Sequence, residues 1–294
     1  MAVKTVQYIF NGQTYNLTYN SKTKKYEATV TAPSKSSYNQ TDHVLGGTVK
    51  ATDQAGNVTT VDQTHSTLGA SLKLRVKEKV APVISITAPS EGAYITNTTP
   101  TIEFSVTDAD SGVNSGTIAV TIDGTAISSV TKTAITGGYK CTCTPAALKD
   151  GAHTISVTAS DNDDNAASAN TSSFTVDTVP PTLSVTAPTD RLITNKSTVT
   201  VTGKTDDATS KPVTVTVNGT AVTVGTDGAF SKDVSLANGS NTITIIAKDK
   251  AGKTTTVTRT VTLDTVAPVI KSISLTPNPV DCGKTFVIAV EVTD

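Results

Sequence analysis

Residues 178–188 read "TVPPTLSVTAP", and the chain returns to the pattern twice more, as "KVAPVISITAP" at 79–89 and "TVAPVIKSISLTP" at 265–277. The prolines that align, Pro82, Pro181 and Pro268, are 99 residues (181 minus 82) and 87 residues (268 minus 181) apart. A self-similar unit of this length holds about seven short strands, the size of one two-sheet sandwich.

The residues after each junction favour strands over helices. In the third copy Val199 and Val201 alternate with Thr, then Val213, Val215 and Val217 alternate before "VNGT", a hairpin turn signal. The second copy repeats this with Ile102, Phe104 and Val106, then Ile118, Val120 and Ile122 before "DGT". A period of two with one apolar face suits sheets that cover a core on one side and meet water on the other. The chain has no Trp, one Met and 4% aromatic residues, and is rich in the small and β-branched types that favour strands. The expected fold is all-β, a tandem of Ig-like β-sandwiches in an elongated rod, with an incomplete domain at each end.

The junction "DTVPP" at 177–181 and the turns "ATDQAGN" (51–57), "ASDNDDN" (159–165) and "AKDKAGK" (247–253) resemble those of the bacterial Ig-like domain superfamily. That resemblance spans nearly the whole chain and implies fold, not activity, because such domains serve as spacers, stalks and virion decorations alike. The expected domains are 1–79, 80–178, 179–265 and 266–294.

The two ends complement each other. With "YIFNGQ" set against "VTIDGT", and "KYEATVTAP" against "GYKCTCTP", the first domain begins at its third strand, and "SLKLRVKEKVAP" falls on its seventh. At the other end "VIAVEVTD" (287–294) matches "TIEFSVTD" (101–108), the second strand of a repeat. Ile273, Leu275, Phe286, Ile288, Val290 and Val292 would then face a core that the tail lacks, and Val6, Tyr8, Phe10, Leu72, Leu74 and Val76 would form the acceptor core. A two-stranded ribbon is marginal in water, and an open sandwich exposes apolar surface and strand edges. Three accounts remain open: a second copy supplies the strands head to tail, another protein does, or the chain continues beyond this sequence.

Charge is balanced, 24 basic against 25 acidic residues, so no general field draws the protein to nucleic acid. No run has the length and hydropathy of a membrane span, and the start lacks a signal-peptide pattern, so neither membrane insertion nor general export is expected. Cys141 and Cys143 alternate onto one strand face, about 7 Å apart and at the limit for a disulfide, which favours free thiols. The three histidines lie in unrelated contexts, and no nucleophile motif accompanies them, so no enzyme is expected. His153 takes the place of Asn241 and reads as a solvated residue at a strand start.

Asp108, Asp110, Asp161, Asp163 and Asp177 fall in "TDADSG", "SDNDDN" and a junction, where loops at one end of a sandwich would gather oxygen ligands for Ca²⁺. Turn formation explains the same residues, and the less acidic "TDDATS" and "KDKAGK" of the third repeat weigh against a metal. In their order, the "FNG" start, "VKATDQAGN" and the tail "SISLTPNPVDCGKTFVIAVEVTD" resemble Ig-like proteins encoded in tail modules of phages and prophages of Gram-positive gut bacteria. The resemblance implies a virion tail, baseplate or fibre component, made in the cytoplasm and released by lysis, with itself or another virion protein as partner and host surface glycans or proteins as contacts. The alternative is an adhesin or stalk on a bacterial cell surface.

Overall fold

The structure, a computed structural model, describes residues 2–294. The chain forms two compact units. One holds the residues up to Ala93 together with Asn97–Thr175, and the other holds Tyr94–Thr96 and Val176–Asp294.

The second repeat makes a complete sandwich. Its strands are β7 (Val83–Ala88), β8 (Ala93–Ile95), β9 (Ile102–Thr107), β10 (Ala119–Ile122), β11 (Thr125–Ala126), β12 (Val130–Ile135), β13 (Gly138–Cys143), β14 (Gly151–Thr158) and β15 (Asn170–Val176). One sheet runs β12-β13-β9-β7 and the other β11-β10-β14-β15-β8. The alternating residues Ile102, Phe104 and Val106 are buried from one sheet, and Val120, Ile122, Ile155 and Val157 from the other. Cys141 and Cys143 lie in this core as free thiols, and burial, with Cys141 adjacent, pushes the Cys143 thiol up to about 11.

The third repeat has the same scheme with β16 (Thr182–Ala187), β17 (Leu192–Thr194), β18 (Thr198–Asp206), β19 (Thr214–Val217), β20 (Thr220–Val222), β21 (Ala229–Ser235), β22 (Gly239–Lys248) and β23 (Thr254–Leu263). Its sheets are β16-β18-β21 and β17-β23-β22-β19-β20, closed over Val201, Val215, Ile243, Ile245 and Val261. Each repeat turns its third strand into its fourth through Asn-Gly or Asp-Gly, with both residues at positive φ: Asn11 and Gly12, Asp123 and Gly124, Asn218 and Gly219. This is the turn whose twist matches paired strands, and it needs residues that tolerate the left-handed region.

The head has one sheet, ordered β3-β2-β1-β4-β5, from β1 (Val3–Phe10), β2 (Gln13–Asn20), β3 (Lys25–Glu27), β4 (Leu45–Asp53) and β5 (Val58–Asp62), while β6 (Lys73–Leu74) pairs the start of β4. It corresponds to the five-stranded sheet of the complete sandwiches, with β1 opposite β4 as β10 is opposite β14. Two expectations need correction. "SLKLRVKEK" supplies only β6, because Val58–Asp62 takes most of the seventh-strand position beside β4. "KYEATVTAP" is a strand only over Lys25–Glu27; residues 28–33 run on with no ladder, since their counterpart β13 is held by β9, and no such strand faces them here.

The tail is one antiparallel hairpin, β24 (Val269–Thr276) with β25 (Val287–Thr293), and every residue in it is exposed.

Candidate assembly surfaces and carboxylate triads

The tail hairpin is amphipathic. Ile270 stands opposite Val292, Ile273 opposite Val290 and Leu275 opposite Ile288, which alternation puts on one face, while Ser272, Ser274, Ala289 and Glu291 occupy the other. The apolar side is uncovered, with Ile273 at 61%, Ile288 at 62% and Phe286 at 52% exposure. The register repeats that of the complete sandwiches: Val269 pairs Thr293 and Ile270 pairs Val292, as Val83 pairs Thr107 and Ile84 pairs Val106. As in those strands the first strand has one bulged residue, here between Ile270 and Ser272 and there between Ile86 and Ala88.

On the head, Tyr8, Phe10, Leu72 and Leu74 line an open groove of about 420 Å³ together with Ala28, Val30 and Ala32. The Tyr8 ring stacks on Phe10 at 5.6 Å and crosses β4 at Gly47, where a Cβ would come within 2.2 Å of it. Of the expected acceptor residues, Val6 shares this face of β1, half-buried opposite Leu17 and Ala51. Val76 is not in the groove. Its amide and carbonyl bond to Ser37 in the joint between head and second sandwich.

That joint also explains two of the expected metal ligands. Asp110 accepts the Ser36 amide at 2.8 Å and Asp163 accepts the Glu78 amide at 3.0 Å, so both hold the head rather than join a cluster. Lys77 adds a bond to Asp164 at 2.7 Å, which holds that carboxyl below the usual carboxylate range.

Acidic oxygens converge in two other places. Glu78, Asp108 and Asp161 form one triad, and Asp177, Asp207 and Asp249 a second, with ligand atoms within 4.8 Å of one another in each. Expected Asp108 and Asp161 therefore meet, but with Glu78 as their partner; Asp177 belongs to the third repeat's triad. Sequence reading missed Glu78, Asp207 and Asp249, although each sits at the same repeat position as an expected residue. The second triad is the more buried, at 0%, 6% and 5% exposure. At an effective dielectric of about 20, each pair of charges so spaced repels by about 3.5 kcal/mol. Within the triad, Oδ2 of Asp177 and Oδ2 of Asp249 have no hydrogen-bond partner, and neither has the buried Ser210 hydroxyl nearby in sequence.

His153 is buried, not solvated as its sequence position suggests. It bonds Asp123 at 2.7 Å and the Lys149 carbonyl at 2.8 Å and packs against Phe174. Burial lowers its pKa, but these two bonds and the Asp123 charge outweigh burial and leave it raised. A cleft of about 880 Å³ in the third sandwich is lined in part by Lys204, Asp206, Lys211 and Asp227, which pair off as Lys204 with Asp227 at 3.1 Å and Lys211 with Asp206 at 2.8 Å. Among the described residues no helix is long and apolar enough to cross a membrane.

Residues 82–157 match the family model described as bacterial Ig domain, and residues 181–265 that described as glucodextranase, domain B. Nothing matches among curated proteins. Solved structures with a similar fold include fibronectin(III)-like modules of Clostridium thermocellum CbhA, at 21% identity over 62% of this chain and 94% of theirs, with a TM-score of 0.40. The tetra-tandem repeat from the extending region of a large adhesion protein is 20% identical over 98% of this chain and 79% of its own, TM-score 0.33. An I-band fragment of titin is 13% identical over 89% of this chain and 88% of its own, TM-score 0.41. With two sheets in each of the second and third repeats, the recurring strand order and the matched bacterial Ig domain, the chain has the fold of a tandem of Ig-like β-sandwiches.

Proposed function

We propose that the protein is a non-enzymatic structural extender that joins copy to copy, the tail hairpin of one subunit covering the open face of the next subunit's head. Register carries the reading. In the second sandwich, β9 pairs β13 with Val106 opposite Tyr139, Phe104 opposite Cys141 and Ile102 opposite Cys143. Aligning "KYEATV" with "GYKCTC" transfers this pattern to the head, with Val292 opposite Tyr26, Val290 opposite Ala28 and Ile288 opposite Val30. Tyr26, Ala28 and Val30 border the open side of Tyr8, where such a strand would lie.

Ile270, Ile273, Leu275, Ile288, Val290 and Val292, on one face of the hairpin, are each roughly half exposed. Covering them contributes about 1 kcal/mol apiece, to which backbone pairing with residues 28–33 adds. Against an association cost of about 4 kcal/mol or more, the joint forms at moderate concentration, and unlike surfaces produce a ring or a filament depending on the rotation between copies. The head and tail motifs, through their resemblance to phage tail-module proteins, support a place in a phage or phage-like tail, baseplate or fibre, with exposed loops meeting the host surface.

Cross-linking tests the register. Directly opposed residues in an antiparallel pair have Cα atoms about 4.5–5.5 Å apart, within disulfide reach. The full chain carrying Cys282→Ser, Ala28→Cys and Val290→Cys should give a ladder of covalent multimers on oxidation. Ala28→Cys with Ala289→Cys, one residue out of register, should not. A chain that stays monomeric by light scattering up to high concentration and forms no ladder would overturn the reading.

A further inference from the structure

We infer that the cleft between the two sheets of the third sandwich is a binding site for an uncharged aromatic ring, in the place that the second sandwich fills with its own Tyr139. All of the cleft's lining lies between residues 182 and 228, away from both ends of the chain.

Strand register matches the two cores level by level. Ile86 pairs Phe104, which pairs Cys141, and the same level of the third sandwich is Val185, Gly203 and Phe230. The ring has moved one strand over. A Cβ at Gly203 would come within 2.5 Å of the Phe230 ring, so the exchange keeps that level filled. At the next level Ile84, Val106 and Tyr139 correspond to Leu183, Thr205 and Gly228, and the Thr205 amide donates to the Gly228 carbonyl at 2.9 Å. Tyr139 alternates with the buried Cys141 and Cys143, which puts it on the core side of β13, half-buried. Here a ring is lost and none replaces it. On the facing sheet Ile118 gives way to Val213, and Val157, paired with Val120, gives way to Ala247, paired with Val215.

Gly228 has no room to take the ring back. Its φ is +79°, and a Cβ there would lie 2.1 Å from the Thr205 carbonyl oxygen. The opening that remains, about 880 Å³, is in the range of small-molecule sites. Leu183, Val213, Val215, Val222 and Val224 supply its apolar lining.

The chemistry of the lining selects the ligand. The Thr205 hydroxyl already donates to the Thr182 carbonyl at 2.7 Å, and among the described residues no buried side-chain atom lacking a hydrogen-bond partner lines the cleft. A sugar would bury hydroxyls there without partners. At the rim each lysine has its own aspartate, Lys204 with Asp227 and Lys211 with Asp206, so neither sign is left over for an ionic ligand. A flat ring, with any polar tip kept at the rim, meets both conditions.

The chain has no Trp, so N-acetyltryptophanamide excited beyond the tyrosine absorption reports its own binding to the full chain. Its emission should shift to the blue and saturate in roughly the millimolar range. Added salt should leave the curve unchanged, since no net charge is involved. p-Cresol should displace the probe and N-acetylleucinamide should not. Val222→Phe places a ring in the cleft from β20, and Thr226→Tyr covers its mouth from an exposed turn; each should weaken binding by about tenfold or more. Because Thr226 is exposed, the second variant carries the test if the first does not fold. The same indole within an uncharged peptide, Thr-Thr-Trp-Thr-Thr with both ends blocked, identifies the source: tighter binding than the single residue assigns the ring to a partner's side chain, and equal binding assigns it to a free aromatic molecule. No shift in emission, a shift that survives Thr226→Tyr undiminished, or displacement by N-acetylleucinamide as effective as by p-cresol would each overturn the assignment.

Discussion

Asp249→Asn should stabilise the third sandwich against unfolding in chelator. The Asp249 Oδ1 accepts the Lys253 amide at 2.8 Å, a bond that an asparagine carbonyl keeps. Its Oδ2 has no partner, and the amide placed there becomes a donor beside Asp177, whose own Oδ2 lacks one. Removing one of three charges abolishes two repulsions of about 3.5 kcal/mol each, an upper bound of about 7 kcal/mol before the loops relax. If only a fifth of this is realised, about 1.5 kcal/mol, the transition rises by about 6–12 °C for a domain of this size. Calorimetry of the full chain measures this, with the transition assigned by Ile245→Ala, which removes a fully buried side chain of this core alone. If the variant melts below wild type in chelator, the charge argument is wrong.

Ile245→Ala itself should cost about 2–5 kcal/mol, seen as a lowered third-sandwich transition with the second unmoved. The His153–Asp123 pair sets a pH dependence. A histidine pKa raised on folding contributes stability below its ordinary value of 6.5 that is lost as pH rises through the raised value. Asp123 is itself lowered by these contacts in spite of its burial, so its contribution is lost only on acidification below its ordinary 3.8. The second sandwich should therefore melt lower at pH 8 than at pH 6, and His153→Gln should flatten this difference in thermal scans. In native protein, maleimide should label Cys282, which is exposed, and spare Cys141 and Cys143 until the second sandwich unfolds; mass spectrometry of the labelled peptides reads this out.

The sandwiches were legible because each layer of the sequence agrees with the next. Alternation at Ile102, Phe104 and Val106, the Asp-Gly and Asn-Gly turns, and the proline junctions all ask for strands in one order, and the sheets adopt it. The head was less legible because a strand needs a partner as well as a pattern. "ATVTAP" at 28–33 alternates as well as "KCTCTP" does, yet it forms no ladder while nothing lies beside it. "SLKLRVKEK" also alternates, but Val58–Asp62 comes directly after the turn that ends β4 and closes a shorter loop, so it takes the edge first. His153 misled because position along a strand says nothing of the Asp123 carboxylate that the neighbouring turn brings to it.

The carboxylates were misjudged for a different reason. Acid density points to Asp110 and Asp163 and away from the third repeat. In the structure the dense loops spend their surplus acids on backbone amides of the head, and the sparse third repeat contributes one acid from each of three places to the most buried triad. What matters is one acid per loop at a fixed distance from a strand end, and this distance is recoverable only once the strand pairing is known. By that criterion "KDKAGK" and "ATDQAGN" are equivalent, and Asp249 and Asp53 hold the same place. The two turns hold their aspartates alike: Asp53 accepts the amides of Ala55 and Asn57, and Asp249 accepts that of Lys253.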